Sequence, residues 1–332
     1  MPTQHNLIPR KRNHLRTLIE QEILTNGPGC DLNHIDVSKM QDFTGLFKGT
    51  EFCGDISRWN MTNAHNLTQM FYSSPFNGDI SQWSVANVSD MTQLFERSKF
   101  NGDISNWNTQ ALEHAAYMFH ASPFTGDVSR WNMSNVANTM GMFQNCPFNG
   151  DLSAWNLPNL YNCRAMFAYS PFNGDISRWD VTQPSQYCNF SEMFQENTAF
   201  SGDLSHWRVP ADACTGMFSL GYKGRLPLQN TSNESAFSFY SQMFDQEDAF
   251  EIYLQTTPFD KPHADVLCTA AIRPSWFSKD DYQWFKDATN MANSIGMDME
   301  TLTLHILDQY KKRHGFSTPS ESWEMGDALI MH

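Results

Sequence analysis

Between residues 30 and 227 apolar and polar positions recur on a fixed cycle, and the stretch 78–101 contains every part of it. In "GDIS" the apolar Ile80 lies between Asp79 and Ser81, the period-two alternation of a short strand with its aliphatic residue turned inward. Val85, Val88, Met91 and Leu94 follow at intervals of three with Phe95 beside the last, which predicts a short helical or 3₁₀-like side on the same core. "ERSK" then makes a turn, and Phe100 closes the coil.

The glycine of this cycle falls at Gly54, Gly78, Gly102, Gly126, Gly150 and Gly174, each step being 24 residues, and at Gly202 after a step of 28. Trp59, Trp83, Trp107, Trp131, Trp155, Trp179 and Trp207 keep register with it, as do the Met/Leu-Phe pairs that end at Phe47, Phe71, Phe95, Phe119, Phe143, Phe167 and Phe194. Self-similarity at this period predicts a repeat solenoid with a parallel β ladder of short strands, in which no coil can bury its apolar face without its neighbours. The array starts near residue 30, where Cys30, Asp31, Leu32 and Ile35 stand at the Gly, Asp, Ile and Trp places. It decays near residue 227, where "KGRLPL" keeps Gly224 and Leu226 but loses Asp and Trp. That makes about eight coils, one of them lengthened near residues 180–201.

Two segments flank the array. In residues 1–29, Leu15, Leu18, Ile19 and Ile23 share one helical face and Gly27-Pro28 stops the run, predicting a helical N-terminal cap over residues 10–25. Residues 228–332 break the period, and helical patterns after Ser278 and from about Asp298 to Gly315 predict a mainly helical C-terminal cap or small domain.

The pattern "MF…PFNGDIS.WNMSNV..M..MF" resembles the BspA-like leucine-rich-repeat family of bacterial surface proteins and mycoplasma lipoproteins, over about residues 30–227. The resemblance implies a leucine-rich-repeat-like solenoid used for protein interaction or adhesion, with no family-wide enzymatic activity; no cofactor is expected.

Charge narrows the choice of partner. The formal net charge is -14: residues 1–29 hold four basic and two acidic groups, residues 30–227 hold 11 and 18, and residues 228–332 hold 7 and 16. Both large regions therefore favour a protein with a basic surface and disfavour direct nucleic-acid or anionic-membrane binding. The N-terminal stretch has no apolar core behind its basic residues and no run is long enough to span a bilayer, so the sequence reads as cytoplasmic, with export by a non-classical route as the alternative. Seven cysteines, odd in number and without a C-x-x-C pair, suit a reducing compartment better than a disulfide framework.

One constellation could carry recognition. Asp55, Asp79, Asp103, Asp127, Asp151, Asp175 and Asp203 fall in a column beside a column of serines. Like charges opposite one another destabilise, so the column needs turn hydrogen bonds, a basic ligand or bridging cations. Calcium is the weakest of these, because the coil lacks the dense Gly-Asp nonapeptides of calcium-binding β-rolls. The residue before each Trp varies: Arg58, Gln82, Asn106, Arg130, Ala154, Arg178 and His206. Variable side chains on an invariant frame are where partner specificity belongs.

No nucleophile, phosphate-loop, metal or acid–base motif is present. The expected function is a non-enzymatic scaffold that binds a partner protein through one face. Two alternatives stand beside it: an acidic decoy that mimics nucleic acid toward a basic protein, and an adhesin or carbohydrate binder that uses the aromatic column.

Overall fold

The computed structural model describes residues 7–9, 11–181, 188–209, 213–218 and 228–229. The chain divides into two compact units, Met1–Ser232 with Gln242–Phe244, and Asn233–Ser241 with Asp245–His332. The second unit, with the helices expected after Ser278 and from Asp298, lies outside the described residues, as do positions 182–187 of the lengthened coil.

Helix α1 spans Arg12–Asn26. Leu15 and Ile19 are buried beneath it, and Gly27 ends it at φ 83, where a side chain would be strained. Arg12 anchors the helix to the repeats by donating from Nη1 to the Thr44 carbonyl at 3.0 Å.

From there the chain winds in coils that hydrogen-bond to one another one repeat apart. In the second coil the N–H groups of Leu67, Gln69, Phe71 and Ser73 donate to the carbonyls of Asp90, Thr92, Leu94 and Glu96 in the third, at 2.8–3.0 Å. The alternate N–H groups turn back on their own coil, Met70 to Leu67, Tyr72 to Gln69 and Ser74 to Phe71, at 3.0–3.2 Å. Carbonyls of Thr68, Met70 and Tyr72 accept from Gly45, Phe47 and Gly49 of the first coil, each at 2.9 Å. Every backbone N–H from Leu67 to Ser74 therefore has a partner without a regular helix or sheet, that of Thr68 donating to Asn66 Oδ1 at 2.8 Å.

This run of tight turns replaces the helical or 3₁₀-like side that the spacing predicts. Gln69 and Ser73 have φ 57 and 53, and the same two places are left-handed at Gln93 and Arg97, Tyr117 and Ala121, and Ala165 and Tyr169. A positive φ at the third residue is the mark of a type II turn, and it is incompatible with a right-handed helix. Glycine takes these places at Gly45, Gly49 and Gly141.

The short strand expected at "GDIS" is not formed either. Asp79 Oδ1 accepts the Ser81 N–H at 2.9 Å. The Ile80 carbonyl accepts both the Trp83 N–H and, from the next coil, the Trp107 indole Nε1–H, each at 3.1 Å. Those two groups are lost to a strand ladder, and at the aspartate place the described residues form a single parallel bridge, Asp31 with Asp55. Parallel bridges instead join Asp42, Asn66, Asp90, His114, Asn138, Asn162 and Asn189. At the end of the array β1 (Arg208–Val209) pairs in parallel with β2 (Leu228–Gln229).

The core is a set of aromatic columns. Phe71 lies 5.4 Å from Phe47 and 5.6 Å from Phe95 between ring centroids, and Phe76 lies 6.0 Å from Phe52 and 6.4 Å from Phe100. Within a coil the two columns meet, Phe95 on Phe100 at 4.0 Å. The repeated glycine serves this packing rather than a bend: its φ is not left-handed, and a Cβ at Gly78 would fall 2.8 Å from the Phe76 ring.

Candidate functional site

Each aspartate of the predicted column caps its own turn. The Oδ1 atoms of Asp55, Asp79, Asp103, Asp127, Asp151, Asp175 and Asp203 accept the N–H of the serine two residues on at 2.8–2.9 Å. This Asx geometry explains why the column tolerates its own charge. The serine N–H first, and its hydroxyl second, hold the carboxyls of Asp55, Asp103, Asp127, Asp151 and Asp175 below the usual aspartate value of 3.8.

Asp55, Asp79, Asp103, Asp127, Asp151 and Asp175 are all exposed. They differ in company. Arg58, Arg130 and Arg178 further lower Asp55, Asp127 and Asp175, whereas Asp103 and Asp151 feel opposing fields from Asp127, and Asp151 also from Asp175. Gln82, Asn106 and Ala154 stand where those arginines would be in the coils of Asp79, Asp103 and Asp151. Asp79, Asp103 and Asp151 therefore have no arginine before the Trp of their own coil.

All of the variable side chains, Arg58, Gln82, Asn106, Arg130, Ala154, Arg178 and His206, are exposed, as a recognition column requires. Arg58 Nη2 reaches Asp31 Oδ2 of the preceding coil at 3.6 Å, both largely in solvent, so this pair contributes little to stability. Gln82 Nε2 rests on Ser81 Oγ at 3.2 Å.

The Trp column is interior. Its seven indoles keep only 1–4 % of their surface, and each Nε1–H donates to a carbonyl of the preceding coil at 3.0–3.3 Å. An aromatic ladder for stacking sugars has no exposed face there.

Two features escaped the sequence pattern. Glu96 is buried, its Oε1 meeting His120 Nδ1 at 3.1 Å, with Gln93 Nε2 donating to Oε2. This charged cluster spans two coils and nothing in the repeat announces it. The second feature is a groove of about 690 Å³ across coils two to five, where side chains eight to eleven residues after the glycines converge.

Among the described residues no three His, Cys, Asp or Glu side chains gather as metal ligands. Their cysteines form no disulfide, although Cys163 and Cys188 approach to 3.5 Å between sulfurs, with burial raising the Cys163 thiol. Also among the described residues, no helix is long and apolar enough to cross a membrane.

No curated protein and no solved structure matches the chain. Four overlapping stretches, residues 22–126, 76–171, 120–223 and 147–257, match a single family of tandem repeats. Together they span well over half of the 332 residues, and the chain therefore belongs to the family described as Mycoplasma protein of unknown function, DUF285.

Proposed function

We propose that this protein is a non-enzymatic interaction scaffold: a leucine-rich-repeat-like solenoid, akin to the BspA-like repeats, that binds a protein with a basic surface along its aspartate edge. It needs no cofactor. The observation that carries the reading is the division of labour within each coil. Phe, Trp and Ile are buried in stacked columns, while the aspartate and the residue before Trp stay exposed. Repeat arrays bind through such exposed columns, because side chains can vary there without disturbing the stack. The stretch at Asp79 and Asp103, with no arginine before either Trp, gives the edge negative charge that steers a basic partner. The six described thiols, all unbridged, fit action inside a reducing cell.

The test is affinity capture from the native cell with the whole chain as bait, followed by mass spectrometry. The variant Asp79→Asn/Asp103→Asn/Asp127→Asn/Asp151→Asn is the comparison, since Asn keeps an acceptor for the serine N–H and so preserves each turn. The expected result is a partner that binds the natural chain, is released by salt, and is lost from the variant. Equal, salt-insensitive capture by both baits rejects the acidic edge. A bait that retains only housekeeping proteins but binds a glycan array overturns the whole reading.

A further inference from the structure

A carboxamide ladder runs beside the groove. Asn63, Asn87, Asn135 and Asn159 each donate from Nδ2 to a carbonyl 25 residues earlier, those of Ser38, Thr62, Gln110 and Ser134, at 2.7–2.8 Å. The fourth coil breaks the series, because Ala111 stands at the Asn place. The carbonyl 25 residues before it, that of Ala86, receives no carboxamide, and the volume of the missing side chain is open. The groove is centred there: Ala86 and Ala111 line it, flanked by Asn87 and Asn135 of the neighbouring coils.

Acceptors predominate around this gap. Asn87 and Asn135 each spend one Nδ2 hydrogen on the ladder bond and keep Oδ1 as an acceptor, while Gln110, whose Oε1 accepts from Asn108 Nδ2 at 3.4 Å, presents its amide as a donor. Glu113 adds a carboxylate with no salt bridge to any described residue. His65 Nδ1 meets the Asn63 carbonyl at 2.8 Å and must carry the proton there, so Nε2 of the neutral ring is also an acceptor. A guest rich in N–H donors suits the oxygens and the His65 ring nitrogen of this set, and a planar one fits the slot left by a missing carboxamide. Guanidinium has five donors, no acceptor and a positive charge for Glu113.

We infer that the gap at Ala111 is a binding site for an arginine side chain of a partner protein. The inference rests on the scaffold reading only for where the arginine comes from; the site itself is tested without any partner. The probe is the blocked peptide acetyl-Gly-Arg-Gly-amide, titrated into the whole protein and followed by amide NMR shifts. Saturable shifts at Asn87, Ala111 and Glu113 are expected, with binding at least tenfold weaker for the citrulline peptide, which keeps the shape and loses the charge. Ala111→Asn refills the ladder, and this variant should melt at a higher temperature while losing the peptide. Glu113→Gln, which leaves the fold untouched, should weaken the peptide at least fivefold.

Absence of saturable shifts, shifts centred elsewhere, or unchanged binding to Ala111→Asn would each overturn the site. Equal binding of arginine and citrulline peptides would overturn guanidinium as its guest. Failure of the peptide while partner capture persists would remove this site and leave the scaffold reading standing; loss of capture with peptide binding intact would do the reverse.

Discussion

At the scale of single residues, the aspartate column shows how one side chain can fix a turn and still present its charge to water. Oδ1 of Asp127 is fixed by the Ser129 N–H at 2.8 Å, while the carboxylate as a whole faces water. The hydrogen bonds that hold these carboxyls below 3.8 are made in the folded state. The unfolded chain therefore binds protons first as pH falls, and the stabilisation is complete above the ordinary aspartate value and lost as pH drops through the lower, folded values. The melting temperature should hold near neutral pH and fall from about pH 4 downward. In Asp103→Asn/Asp127→Asn/Asp151→Asn/Asp175→Asn the turn keeps a neutral acceptor, so circular dichroism melts should show a shallower acid decline. An identical decline would mean that other carboxyls govern acid unfolding.

At the scale of the coil, the sequence discloses what is buried more readily than how the backbone runs. Leu67, Met70, Phe71 and Ser74 are all buried, a spacing of three and four that a helix would also produce. A chain of tight turns advances by the same steps, so side-chain periodicity alone cannot separate the two. The decisive fact is that Gln69 and Ser73 are left-handed, which their residue types do not advertise; Gly45, Gly49, Gly141 and Gly216 at equivalent places hint at it. "GDIS" misleads in the same way, since its alternation is real but its Ser81 N–H is claimed by Asp79 and its Ile80 carbonyl by two tryptophans. The acidic column was legible because its aspartates repeat; the groove at Ala111 was not, because its signal is the absence of one asparagine. Left-handed backbone has a measurable cost for a residue with a Cβ. Ala121, at φ 53, should gain stability on Ala121→Gly, by about 0.5 kcal/mol once relief of backbone strain is set against the extra entropy of the unfolded chain. Urea unfolding measures this, and destabilisation would show that the Ala121 methyl packs more usefully than its conformation costs.

At the scale of the repeat unit, each coil is tied to the coils before and after it, and that locality sets how damage spreads. Phe124 stacks on Phe100 at 6.4 Å and Phe148 at 6.3 Å in the column, and on Phe119 at 4.0 Å in its own coil. Phe124→Ala removes all of these contacts and leaves a cavity that the stacked neighbours cannot fill, at a cost of about 3–5 kcal/mol. In a quasi-one-dimensional array, stability is approximately a sum of coil and interface contributions, so this loss is concentrated at two interfaces rather than shared by the whole molecule. Amide hydrogen exchange should consequently speed up most for Gln93, Phe95 and Arg97 and for Tyr117, Phe119 and Ala121, whose N–H groups bridge the coils around Phe124. The amides of Gly45, Phe47 and Gly49, in the first coil, should change least. A uniform rise along the array would instead mean that the coils open as one cooperative block. A lesion in one coil would then loosen the aspartate edge along its full length, whereas local opening confines the damage to the neighbouring coils.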